Sequence, residues 1–122
     1  MLPCPCCGYL VFEQPVGSYE VCPVCDWEDD GLQLEYATSL SGGANRETLV
    51  EAQSAFATRA QRLQRKHPGA AIPFARDPLW RPIDSAVDNF PRWDERESSN
   101  ARPMDETLFY WRPTFRHRES AT

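Results

Sequence analysis

The sequence predicts a small α+β protein: an N-terminal zinc-ribbon hairpin packed with one main helix and wrapped by extended, Pro- and aromatic-rich segments. Three observations predict it. Two Cys-Pro-x-Cys units, Cys4-Pro5-Cys6-Cys7 and Cys22-Pro23-Val24-Cys25, stand close to the N-terminus. Leu49, Ala52, Phe56, Ala60 and Leu63 recur at the spacing of one helix face. Beyond residue 70 prolines are too frequent for long regular elements.

The ribbon comes first. Residues 1–30 hold too few apolar side chains for a core of their own, and a 122-residue chain gains from a metal or disulfide staple. Zinc takes four thiolates at tetrahedral corners, and two Cys-x-x-Cys knuckles each supply one edge, so Cys4, Cys7, Cys22 and Cys25 are the expected ligands of a structural Zn(2+). Proline after the first cysteine of each unit pre-sets the turn. Gly8 and Asp26, at matching places after the knuckles, suit a left-handed backbone. Leu10-Val11-Phe12 and Tyr19-Glu20-Val21 read as the strands of a hairpin turned by Pro15-Val16-Gly17-Ser18. Met1 leads into Cys4 with no basic, apolar leader, and no run reaches membrane-spanning length. A cytoplasmic chain with no membrane span is therefore expected, where thiols stay reduced and favour metal over two disulfides. A tetrahedral sulfur site also suits a single iron of the rubredoxin kind, so iron is the rival metal. Cys6 lies between two ligands and is expected to point away from the metal as a small hydrophobe.

Residues 31–45 read as irregular. The helix is expected over 45–67, with Thr48 and Glu51 forming a capping box, Arg65-Lys66-His67 at its C-terminus and Pro68-Gly69 ending it. An extended wrap follows over 70–115, interrupted by a polar loop at 94–103. Thr107-Leu108-Phe109-Tyr110-Trp111 is the candidate late strand, and 116–122 is expected to fray. All 122 residues are read as one domain.

The net charge of −5 is unevenly spread. Residues 1–45 carry seven acids and no Lys or Arg, and four thiolates on a divalent ion add two further negative charges there. Glu28-Asp29-Asp30 lacks the alternating ligands of a calcium loop and reads as part of an acidic face for a protein partner. A ribbon without cations repels phosphate, so nucleic acid is the weaker alternative, with Arg59, Arg62, Arg65 and Lys66 its only footprint. Four protein ligands leave a metal no open position, and no nucleophile–base order or phosphate loop stands out, so an enzyme is not expected. His67 and His117 read as solvated surface residues.

Cys4-Pro5-Cys6-Cys7-Gly8-Tyr9, Tyr19-Glu20-Val21-Cys22-Pro23-Val24-Cys25, Trp27-Glu28-Asp29-Asp30-Gly31 and Gly42-Gly43-Ala44-Asn45 together resemble the bacterial cysteine-rich CPCC family, as does the late Tyr110-Trp111-Arg112-Pro113. The resemblance implies metal binding. Small acidic members resemble proteins encoded beside bacterial toxins, which implies an immunity protein covering a basic toxin as the sharpest form of the interaction reading.

Overall fold

The computed structural model describes residues 1–96 and 103–115. Strands β1 (Leu2–Pro3) and β2 (Leu10–Phe12) pair antiparallel, with Leu2 opposite Phe12 and Pro3 opposite Leu10. The first knuckle reverses the chain between them. Cys4 N donates to Tyr9 O at 2.9 Å and Gly8 N to Cys4 O at 2.7 Å. The second knuckle repeats this pattern: Cys22 N donates to Trp27 O at 2.8 Å and Asp26 N to Cys22 O at 2.9 Å, with Val21 bridged to Glu28. Gly8 and Asp26 both take left-handed backbone, at φ 81° and 68°.

The expected pairing of residues 10–12 with 19–21 does not form. Each knuckle already reverses its own flanks, and short-range closure costs the least chain entropy. Leu10 N donates instead to Ala75 O at 2.8 Å, and Asp77 N to Gly8 O at 2.8 Å, so residues 75–77 line the other edge of the first ribbon. Residues 19–21 run beside 28–29, through Tyr19 N to Asp29 O at 3.0 Å and Asp29 N to Glu20 O at 2.8 Å.

Residues 31–45 are not irregular throughout. A short helix, α1 (Gly31–Glu35), starts at Asp30, whose carboxylate accepts from Leu32 N and Gln33 N. Gln33 is fully buried. Its amide nitrogen faces the carbonyls of Leu40, Asn45 and Glu47 at 3.0–3.2 Å, and its oxygen accepts from Asn45 N and Nδ2 at 2.9 Å each. One side chain thus organises the loop leading into α2 (Leu49–Lys66).

The α2 capping box forms as predicted: Glu51 N donates to Thr48 Oγ1, and Thr48 N to the Glu51 carboxylate. Leu49, Ala52, Gln53 and Phe56 are buried, Ala60 is half-buried, and Leu63 is 59% exposed. The apolar face therefore packs along the first half of the helix, and its last turns project from the body. Around that half gather Phe12, Leu34, Ala37, Phe90, Leu108, Phe109, Tyr110, Trp111 and Phe115, continuous with all five cysteines.

The late strand at 107–111 is absent. Glu106–Leu108 forms a single 3₁₀ turn capped by the Asp105 carboxylate, and Arg112 N donates to Phe109 O in the turn that follows. Asp105 satisfies Thr107 N locally, so the segment folds on itself and buries Leu108 to Trp111 side by side. The polar loop expected at 94–103 and the frayed tail at 116–122 lie largely or wholly outside the described residues. Among the described residues no helix is long and apolar enough to cross a membrane.

Candidate metal centre

The two knuckles face one another and bring four sulfurs together. Cys4 Sγ lies 3.6 Å from Cys25 Sγ, Cys7 Sγ lies 3.7 Å from Cys22 Sγ, and all four are within 4.8 Å of one another. A tetrahedral ion with metal–sulfur bonds of about 2.3 Å requires sulfur–sulfur edges of about 3.8 Å. The quartet fits that geometry, and each cysteine is at least 95% buried. No disulfide joins any of the five. Burial and the surrounding sulfurs push the Cys4 thiol well above its ordinary pKa. Four thiolates this close repel one another in a buried space, and a divalent cation supplies the charge that holds them deprotonated. Bound there, such an ion cross-links the two knuckles and leaves no coordination position open.

Cys6 stands outside the quartet, as its place in the motif predicts, and is buried as a small hydrophobe would be. It is 2% exposed, and the Cys25 side chain, then burial, pushes the Cys6 thiol up. Val24 N donates to Cys22 Sγ at 3.4 Å, the kind of N–H contact that steadies a metal-bound sulfur.

Groups far along the chain hold the knuckles. Arg76 Nε donates to Cys7 O at 2.8 Å, and its guanidinium lies 4.7 Å from the ring centroids of both Tyr9 and Trp80. Arg59 Nη2 donates to Cys25 O at 3.0 Å. Each arginine thus meets the carbonyl of the last cysteine of one knuckle and brings a positive charge to a segment that has none. Pro5 O accepts from Gln53 Nε2 at 2.9 Å and Trp80 Nε1 at 3.0 Å. These four contacts with the knuckles were not foreseen. Motif spacing carries no trace of Arg76, which sits 69 residues from its carbonyl.

Glu28, Asp29 and Asp30 do not form the expected acidic face. Asp29 is 3% exposed, and its carboxylate accepts from Gly17 N, Ser18 N and Ser18 Oγ at 3.0–3.1 Å. Burial nonetheless raises its pKa. Asp30 is buried as well, and beyond capping α1 it accepts from Ala44 N at 3.0 Å. Glu28 is half-buried, and the Asn45 amide holds its backbone N–H and C=O at 2.8 Å each. Asp29 and Asp30 are internal struts, and the acids of this arm that reach solvent are Glu13, Asp26 and the half-exposed Glu28. Tyr19 and Val21, 63% and 56% exposed, stand on the same arm, and Tyr19 has a left-handed backbone at φ 62°. His67 is exposed at the end of α2, and His117 lies outside the described residues.

Among the described residues the quartet is the one group of three or more His, Cys, Asp and Glu side chains placed to share an ion. Two cysteine knuckles closing a sulfur tetrahedron beside a helix define a small protein with a ribbon-like structural metal site. The chain belongs to the cysteine-rich CPCC family, whose model matches residues 2–67. That span covers both knuckles, α1 and all of α2. No curated protein matches the chain.

Proposed function

We propose that this is a non-enzymatic scaffold in which Cys4, Cys7, Cys22 and Cys25 hold a structural zinc ion, and whose acidic ribbon arm binds a basic protein partner. Zinc is preferred to iron because it is the common occupant of closed four-cysteine ribbons. An electron carrier would be coloured when oxidised, and a colourless preparation containing one zinc per chain separates the two metals. The closed tetrahedron supports a structural rather than a catalytic role.

The observation that carries the interaction reading is the character of the arm. Its backbone is locked by metal and by Asp29, it bears no Lys or Arg, and it presents Tyr19 and Val21 among Glu13, Asp26 and Glu28. Exposed aromatic and aliphatic side chains ringed by like charge suit a partner with an apolar spot in a basic surround. The sharpest form is an immunity protein covering a basic toxin. The test mixes the zinc-loaded chain with a basic protein encoded beside its gene. Binding should weaken with salt, and by about tenfold or more in Tyr19→Ser/Val21→Ser. Absence of a complex at micromolar concentration removes the immunity form. Salt-sensitive binding to DNA or RNA instead would favour the nucleic-acid alternative.

A further inference from the structure

Beyond Phe56, α2 outruns the body it packs on. Ala60 is half-buried, Leu63 is 59% exposed, and residues 61–66 are all exposed. Residues 52–66 contain no acid and four cations, Arg59, Arg62, Arg65 and Lys66. Among the described residues none of the four makes an ion pair. Arg59, Arg62 and Lys66 follow one another at i, i+3 and i+7, so they form one column, and Leu63 continues the stripe of Phe56 and Ala60 beside it. The end of α2 is therefore an apolar spot flanked by positive charge. That is the character the ribbon arm, with Tyr19 and Val21 among acids, requires of a partner. The two surfaces also adjoin. Arg59 is anchored on Cys25 O at 3.0 Å, and Asp26 and Glu47 share with Arg59 the lining of a cavity of about 100 Å³ between the second knuckle and α2.

We infer that a second copy of this chain is a partner of the arm: the projecting end of α2 lies on the arm of the other copy, and the reverse contact is made at the same time. This rests on the arm being an interaction surface, and it names what covers it. Leu63 packs with Tyr19 and Val21, while Arg62 and Lys66 face Asp26 and Glu28. The lengths agree, since residues 59–66 of the helix measure about 12 Å and the three extended residues 19–21 about 10 Å. A surface whose acidic and basic halves lie side by side is complementary to itself after a half-turn about an axis between them. Both contacts then close in one two-fold dimer, which leaves no open end to polymerise.

Sedimentation equilibrium of the metal-loaded chain at micromolar concentration tests this. The expected result is a monomer–dimer equilibrium whose dissociation constant rises about tenfold or more between low and high salt. Tyr19→Ser/Val21→Ser on the arm and Arg62→Glu/Leu63→Gln on the helix should each raise it about tenfold or more. All four side chains are exposed, so thermal midpoints should stay at the parent value. An equimolar mixture of the two variants should associate more tightly than either alone, because the arm of one and the helix end of the other still fit. A chain that stays monomeric in low salt, a dimer that either variant leaves intact, or a mixture no tighter than its components would overturn the inference. So would salt-sensitive binding of DNA by a monomeric chain, lost in Arg62→Glu/Leu63→Gln, which would assign the helix end to phosphate. A monomer that binds a foreign basic protein through Tyr19 and Val21 leaves the arm reading standing without the dimer, and a chain that does neither removes both. The expected dimer with no foreign partner supports the inference and confines the arm to the chain's own copies.

Discussion

Gly8 and Asp26 close equivalent knuckles with the same left-handed backbone, but their surroundings differ. A Cβ on Gly8 would lie 2.5 Å from the Trp80 ring, the same ring that stacks on Arg76 and reaches Pro5 O. Asp26 points to solvent. Gly8→Ala should therefore cost roughly 2–4 kcal/mol, from backbone strain plus the clash, whereas Asp26→Gly should stay within about 0.5 kcal/mol of the parent. Denaturant unfolding of the metal-loaded proteins checks both. Arg76 is the second residue-scale case. Arg76→Gln removes the donor to Cys7 O and the stack between Tyr9 and Trp80. Metal affinity against a competing chelator should fall about tenfold or more. Arg92→Gln, which among the described residues loses an exposed pair with Asp94, should leave it unchanged.

Among the elements, α2 was the most legible, because its start is decided within four residues by the Thr48 and Glu51 caps and its stop by Pro68-Gly69. The ribbons were legible at their knuckles and not in their pairing. The partner of β2 across its open edge, residues 75–77, carries no alternating apolar pattern that would announce a strand. The acidic run misled because charge in a sequence signals exposure only when backbone donors do not claim it, and Asp29 and Asp30 are claimed. Asp77 shows the same physics in the C-terminal wrap. It is buried and joins that wrap to the late turn: Trp111 Nε1 donates to it at 2.9 Å and Arg112 Nη2 at 3.1 Å. Burial alone would raise this carboxyl, but the bonds from Trp111, Leu79 N and Arg112 together hold it below its ordinary pKa. Asp77→Ala should cost about 2–3 kcal/mol. The sign of the pH effect follows from the depressed pKa. The stabilisation is complete above the unfolded-state pKa of about 3.9 and is lost as pH falls through the lower folded value. Between about pH 4 and pH 2 the parent should therefore lose more stability than Asp77→Asn, with the opposing contribution of Asp29 common to both.

For the molecule as a whole, the cysteine quartet and the core are one structure. The five cysteines lie in the same buried cluster as Phe12, Trp27, Leu49 and Phe56, so an ion held by the quartet would brace the packing of α2 as well as the knuckles. Stripping it with a chelator should lower the thermal midpoint and open the N-terminal half. A thiol reagent added without denaturant should then count five reactive cysteines, against few or none in the loaded protein. Thiols that stay shielded after the metal is gone would contradict a metal-dependent fold. Acidification acts in the same direction, since protons compete with the ion for four sulfurs and metal is shed as pH falls.

What the sequence determined by itself was local. Four cysteines at knuckle spacing, the residues that let each knuckle turn, and a capped helix with one apolar face all depend on neighbours a few positions apart, where chain geometry leaves little choice. Tertiary structure decided what joins across long separations: which edge of β2 is covered, which acids are buried, where Arg59 and Arg76 meet the knuckles, and how far α2 outruns the body it packs on. Those outcomes rest on many weak contacts formed together, and no short run of residues encodes them.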